Sequence, residues 1–474
     1  MTRFELATTR PPDVYATGLR YIPKPMPNFR LAAANIRVKR NFQVILHEIF
    51  KAHMKILLRK VLIADTTSPY NGQVKDILIN DGTIISIENE VDASHSDTVI
   101  AEEDAIVSQG WVDTFSHFTD PGFEYRETLE TGAATAAAGG FTQVFALPNT
   151  NSVIHSKPQV EYIAQKSKSL PITIYPLGAI TKNTEGKELA EMYDMQASGS
   201  IAFSDGLNPI QTPGLLLKAL QYVKAFDGVL MQMPIDTSIG QFGLMNEGIV
   251  STQLGLPGIP MMAEELIVAR DIKLARYAGS RLHFTGVTSP KSLEYIQRAK
   301  DAGLNITCSV TPYHLFFCDE DLRSYDTNLK VNPPLRSRQD MLLLREAVLK
   351  ETVDCIASHH IPHNFDSKVC EFEYAKYGMI GLQTSYLAVN HILPQLNTEQ
   401  VTKLFSSNAS NIFDLPATNI IEGAKAALTI FSRNGSSTIT KQNNKSKSFN
   451  TPFADMQLTG KVIGIVNKGN LILN

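Results

Sequence analysis

Short apolar runs alternate with amphipathic stretches through the middle of the chain, and no other feature narrows the fold as far. Eight runs have strand character: IVSQGWVDTFSH, TQVFALP, ITIYPLGAI, SIAFSD, GVLMQMP, RLHFTGV, NITCSVTPYH and VDCIASHH. Helix-like segments separate most of them, such as KSLEYIQRAKDAG before the seventh and RQDMLLLREAVLKET before the eighth. Strands that alternate with helices pair in parallel, because each helix carries the chain back across the sheet. Eight such units predict an α/β fold of the TIM (β/α)8 barrel type. An open doubly wound sheet satisfies the same periodicity. In a barrel the chemistry gathers at the C-terminal strand ends, which here carry His117, Asn149, Asp205, Gln232, Gly286, His314 and His359.

The two ends of this body read differently. ILLRKVLIAD and DILINDGTIISIE, with Asp81-Gly82 as a hairpin turn, resemble LTIFS and GKVIGIVNKGNLIL near the C-terminus. They predict one small β-sandwich built from residues 55–106 and 417–474, around a barrel spanning 107–416. The polar insert SRNGSSTITKQNNKSKS between the last strands predicts a solvated, mobile loop. Residues 1–54 are rich in Arg and Lys, with a Pro-rich patch from Tyr21 to Phe29, and read as an N-terminal extension. GAATAAAGGFTQV lacks the lysine of a phosphate loop, so its small residues predict close helix packing.

Composition excludes several classes. A net charge of -3 gives no electrostatic reason to bind nucleic acid. Cys308, Cys318, Cys355 and Cys370 show no C-x-x-C spacing, which points to reduced thiols in a cytoplasmic protein. Neither a membrane-length apolar run nor a secretory leader is visible.

The stretch Gly110–Gly122, GWVDTFSHFTDPG, matches the pattern D-x-H-x-H-x-R-x-P-G at Asp113, His117, Pro121 and Gly122. With IAFSDG, HFTGVTSPKSLEYI, TCSVTPYHL, KVNPPLRS, IASHHIPH, YGMIGLQT and SKSFNTPFADMQLTGKV, in that order, it resembles the dihydroorotases of the amidohydrolase superfamily from Ile56 to Asn474. The resemblance implies a cyclic amidase of pyrimidine synthesis. Such chemistry uses paired zinc ions about 3.5–4 Å apart, which polarise the carbonyl and lower the pKa of bound water to about 7.

Carried over residue by residue, the resemblance departs at the metal site. His117 and Asp205 match ligand positions, whereas Phe115, Gln232 and Gly286 stand where histidines are expected. His359 occupies the position of the catalytic aspartate, and Thr119 that of the arginine that grips the substrate carboxylate. Substrate-contacting positions persist at Asn149, Asn332, His363, Tyr377 and Gly378.

The expectation is a degraded site with no cofactor. His117 and Asp205 then simply hydrogen-bond each other. The alternative gathers His117, Asp205 and His359 around a single zinc with an open fourth position. Asn332 precedes Pro333-Pro334 and either binds a ligand or braces that loop. Inactive relatives imply aspartate transcarbamoylase as partner, and the family implies a homodimer. An active cyclic-amide hydrolase with a reduced metal site is the competing reading.

Overall fold

The computed structural model describes residues 55–416 and 418–474; the expected extension, residues 1–54, lies outside them. An eight-stranded sheet takes strands from both ends of the described chain. Lys55–Ala64 pairs antiparallel with Val74–Asn80 and parallel with Ile106–Gln109. Leu428–Thr438 joins Ile106–Gln109 antiparallel, and Gln457–Asn467 extends the sheet beyond it. Asp81 and Gly82 connect Val74–Asn80 to Thr83–Glu88 with φ of 49° and 68°. Two central residues with positive φ match the right-handed twist of the flanking strands. Ile56, Leu58, Ile77, Ile79, Leu428 and Ile430 form a separate apolar core here.

The barrel follows the predicted order. Its strands are Trp111–Ser116, Phe141–Ala146, Thr173–Pro176, Val229–Gln232, Arg281–Thr285, Ile306–Val310 and Cys355–Ile356. They form a three-stranded and a four-stranded parallel sheet. The fourth predicted strand, SIAFSD, is reduced to Phe203, which bridges Gly178 on one side and Leu230 on the other. The ring closes where His360 bridges Ser116. Trp111–Ser116 and Phe141–Ala146 are buried throughout, as expected for strands covered on both faces.

Both quoted helical stretches form helices, Pro290–Asp301 and Arg338–Leu349. The small-residue stretch forms Leu129–Ala138, and a Cβ at Gly132 would lie 2.5 Å from the Phe118 ring. Any larger side chain there would push the helix off the sheet. Trp111 joins barrel to β-sheet: its ring lies 4.9–5.1 Å from Tyr386, Phe405 and Phe431. All four cysteines are free. Among the described residues no helix is long and apolar enough to cross a membrane.

The polar insert departs from expectation. Its first half continues the strand Leu428–Thr438, and in its second half Ser446 and Ser448 are buried, as is Asn450 just beyond. These side chains are held by groups of the barrel mouth. Composition predicts solvation because it cannot reveal acceptors that arrive from elsewhere in the chain.

Candidate functional site

Phe115 ends the first barrel strand with its side chain in the barrel interior, fully buried. Its ring stacks on the imidazole of His359, 4.1 Å between centroids and 23° between planes. His359 adopts a φ of 43° just beyond the eighth strand, and its Nε2 bonds Thr285 Oγ1 at 2.8 Å. Its Nδ1 has no partner. Burial, with His314 and His283 nearby, holds its pKa well below the usual imidazole value. Gly286 completes the cluster: a Cβ there would lie 2.6 Å from His359 Cε1. Phe115, Gly286 and His359 thus interlock. The ring of His359 fills space that a side chain at 286 would need.

The other positions expected to hold metal have partners within the protein. His117 Nε2 donates to the Asn149 carbonyl at 2.9 Å, so its unpartnered Nδ1 carries a bare lone pair. Burial lowers its pKa to about 4. Asp205 accepts from the Thr181 amide at 2.9 Å and from the Thr181 hydroxyl, and burial raises its pKa to about 6. Gln232 is clamped to Ile210: its Nε2 donates to the carbonyl at 3.0 Å and its Oε1 accepts from the amide at 3.3 Å. His117 and Asp205 are therefore not bonded to each other, contrary to the simpler expectation. Local bonds to Asn149 and Thr181 take both side chains instead.

Among the described residues, no three His, Cys, Asp or Glu side chains are grouped so as to hold a metal. His117, Asp205 and His359 do not form a ligand set. Two positions offer no donor, Phe115 and Gly286, and the donors of Asp205 and Gln232 are engaged by Thr181 and Ile210 of neighbouring segments. The residues present do not fit a zinc pair.

Most of the positions expected to contact substrate have partners of their own. Asn149 is a brace: its Nδ2 donates to the Asp205 carbonyl and its Oδ1 accepts from the Leu207 amide, both at 3.0 Å. Asn332 Oδ1 is buried without a partner, which leaves its role as brace or contact open to a ligand. His363 donates from Nε2 to the Tyr377 carbonyl at 2.8 Å, and its Nδ1 is likewise unpaired. Tyr377 donates from its hydroxyl to the Gly243 carbonyl at 2.7 Å. Gly378 has a φ of 119°, and a Cβ there would lie 2.7 Å from Ile361. Thr119 turns inward, its hydroxyl donating to the carbonyls of Phe123 and Glu127 at 3.0 and 2.9 Å.

Two residues at this mouth escape sequence reasoning. Arg126 packs over the Phe123 and Tyr125 rings at 5.0 and 5.3 Å, and its charge helps to depress the pKa of both His117 and His363. Glu127 is fully buried and accepts from Thr131 and Ser446 hydroxyls, from the Lys447 amide at 3.1 Å and from His360 Nε2 at 3.3 Å. Asn450 adds bonds to the His363 amide at 3.0 Å and the Ile361 carbonyl at 3.1 Å. The C-terminal segment thereby straps the first and eighth strand ends together. The only sequence signal was the position of Arg126 and Glu127 just after the first-strand motif, within EYRETLETG.

Comparison with known proteins agrees with this architecture. Residues 105–292 match the family model described as "Dihydro-orotase-like". A protein named dihydroorotase from Syntrophus aciditrophicus is 37% identical over 424 residues, 88% of this chain and 99% of the relative. One of the same name from Caldanaerobacter subterraneus is 38% identical over 423 residues, 88% of this chain and 97% of the relative. Among solved structures, an L-hydantoinase (dihydropyrimidinase) from Arthrobacter aurescens superposes with a TM-score of 0.78 at 20% identity, over 88% of this chain and 96% of that one. This last likeness concerns the fold alone, a TIM barrel with a β-domain.

Proposed function

This chain belongs to the dihydroorotase family of the amidohydrolase superfamily, and from that premise we propose that it no longer hydrolyses dihydroorotate and serves as a structural or regulatory partner of aspartate transcarbamoylase. The observation that carries the first half is the interlocked cluster of Phe115, Gly286 and His359. Amide hydrolysis in this family needs paired cations to generate hydroxide near neutral pH. Here the volume for two of their ligands is filled by an aromatic ring and an imidazole in contact. His359, in the position of the general base, has its Nε2 engaged by Thr285 Oγ1 at 2.8 Å. Thr119 turns its hydroxyl to the backbone and offers no charged fork to a carboxylate.

The partnership rests on family analogy: a barrel that keeps its frame without its metal centre fits a scaffold's task. A homodimer is part of the same proposal.

The test combines metal content with turnover. The purified chain should hold well under one zinc per molecule, leave dihydroorotate unhydrolysed, and co-purify with aspartate transcarbamoylase. Phe115→His alone should not restore turnover, since Gln232 and Gly286 remain. Stoichiometric zinc with measurable hydrolysis would replace this reading with that of an active cyclic-amide hydrolase using a reduced metal site.

A further inference from the structure

Two lysines beside the barrel mouth are buried where no carboxylate pairs with them. Lys330 and Lys368 are 2% and 5% exposed, and among the described residues neither forms a salt bridge. Lys368 Nζ donates to the carbonyls of Thr327 and Lys376 at 2.8 and 2.7 Å. Lys330 Nζ donates to those of Phe372 and Glu373, both at 2.8 Å. Both amines thus pin the loop Phe365–Tyr377, which follows the eighth strand, to the segment Thr327–Lys330. The same loop ends at Tyr377, whose carbonyl orients His363. The loop that carries Lys368 therefore also supplies the acceptor of His363 Nε2.

The two cages differ in a way that decides charge. Lys330 Nζ lies 5.3 and 4.9 Å from the ring centroids of Phe372 and Tyr377, and aromatic faces stabilise a cation. Lys368 has its two carbonyls and no ring. A neutral amine offers two N–H groups, matched one to one by two carbonyls. An ammonium would keep a third N–H bare and a full charge out of water. Of the groups facing Lys368, Lys330 opposes a second positive charge, whereas Asp326 and Cys370 favour it; Cys370, Glu373 and Lys376 face Lys330. Burial outweighs these neighbours and brings the Lys368 pKa down to about 7.

We propose that Lys368 is an uncharged amine when the Phe365–Tyr377 loop is seated, so that seating expels a proton and the loop is a pH-responsive cover beside His363. An exposed lysine has a pKa of about 10.4. Protonation therefore favours the unseated loop. Seating strengthens about tenfold per pH unit between about pH 7 and about pH 10.4 and is independent of pH outside that window. The device does not depend on whether the barrel hydrolyses anything.

The test uses the full chain. With 13C-labelled lysine, NMR should find one Cε resonance titrating near neutrality that vanishes in Lys368→Met. Hydrogen exchange of residues 365–377, corrected for its intrinsic pH dependence, should slow from about pH 7 to about pH 9. In Lys330→Met, with the neighbouring cation gone, the Lys368 midpoint should move upward. The wild-type titration remains decisive even where a variant disturbs the loop. The proposal is overturned if every lysine in the wild-type chain titrates above about pH 9.5, or if exchange of the loop is flat over that interval.

Discussion

The floor of the barrel mouth and its rim solve opposite problems with similar residues. On the floor, Phe115, Gly286 and His359 interlock, so each is defined by the shape of the others. On the rim, His363 Nδ1 and Asn332 Oδ1 are buried without partners, and His117 Nδ1 is bare where floor and rim meet. The floor is held by ring contact around His359, whose Nδ1 is itself unpartnered, whereas the rim sets its unpartnered atoms, which no described residue satisfies, in a frame of hydrogen bonds. A packed unit resists piecemeal change, because altering one member leaves the others in its way.

The sharpest way to break this contrast is to empty the floor. Phe115→Ala should cost about 3–5 kcal/mol, as expected for a fully buried aromatic, read as a lower urea midpoint. A loss under about 1 kcal/mol would show that the cluster is not close-packed. Gly286→Ala should cost about 2–4 kcal/mol, because it adds a Cβ at a left-handed φ of 71° and forces it into His359. Much of that loss should disappear in a His359→Ala background, and a double-mutant cycle should report coupling above about 1 kcal/mol. Additive effects would refute the interlock.

Next comes the strap that joins floor and rim. Glu127→Gln exchanges an acceptor of several donors for an amide that must also place its own hydrogens. It should cost about 1–3 kcal/mol and speed hydrogen exchange over Lys445–Asn450. Unchanged exchange there would remove Glu127 as the anchor. On the rim itself, Asn332→Ala should change stability by under about 0.5 kcal/mol, since the atom it deletes has no partner to lose.

Acid should distinguish the two regions least. The pKa values of His117 and His363 are lowered to about 4 and 3, and those of His283 and His314 to about 3, chiefly by burial. Their folded values lie below the unfolded value of about 6.5, so the stability they contribute is complete above it and is lost as pH falls. Asp205 and Asp271, raised to about 6, act in the opposite sense over the lower part of that interval. The imidazoles outnumber them, so the urea midpoint should fall between about pH 7 and about pH 5. A flat profile would mean that these rings reach water or protonated partners.

Much of the fold was legible in the sequence. Strand runs and helical stretches are local patterns, and a strand buried on both faces announces itself as an uninterrupted apolar run, as in Trp111–Ser116. The fourth run, SIAFSD, misled by composition: it has strand character but makes only the bridges of Phe203. In the site, motif matching located the positions but not their bonds. His117 and Asp205 look like partners in sequence, yet each is taken by the backbone of a different loop. Arg126, Glu127 and Asn450 carried no pattern of their own. Their roles arise from contacts across up to 322 positions, as between Arg126 and Ser448.

The sequence by itself determined the kinship of this chain, its βα order and the absence of any metal-donor atom in the side chains at 115 and 286, because residue identity settles which atoms exist. Only the tertiary structure decided that those two changes and His359 are a single packed object, and that a polar hairpin loop is a buried strap. Contact and desolvation depend on neighbours that chain order does not reveal.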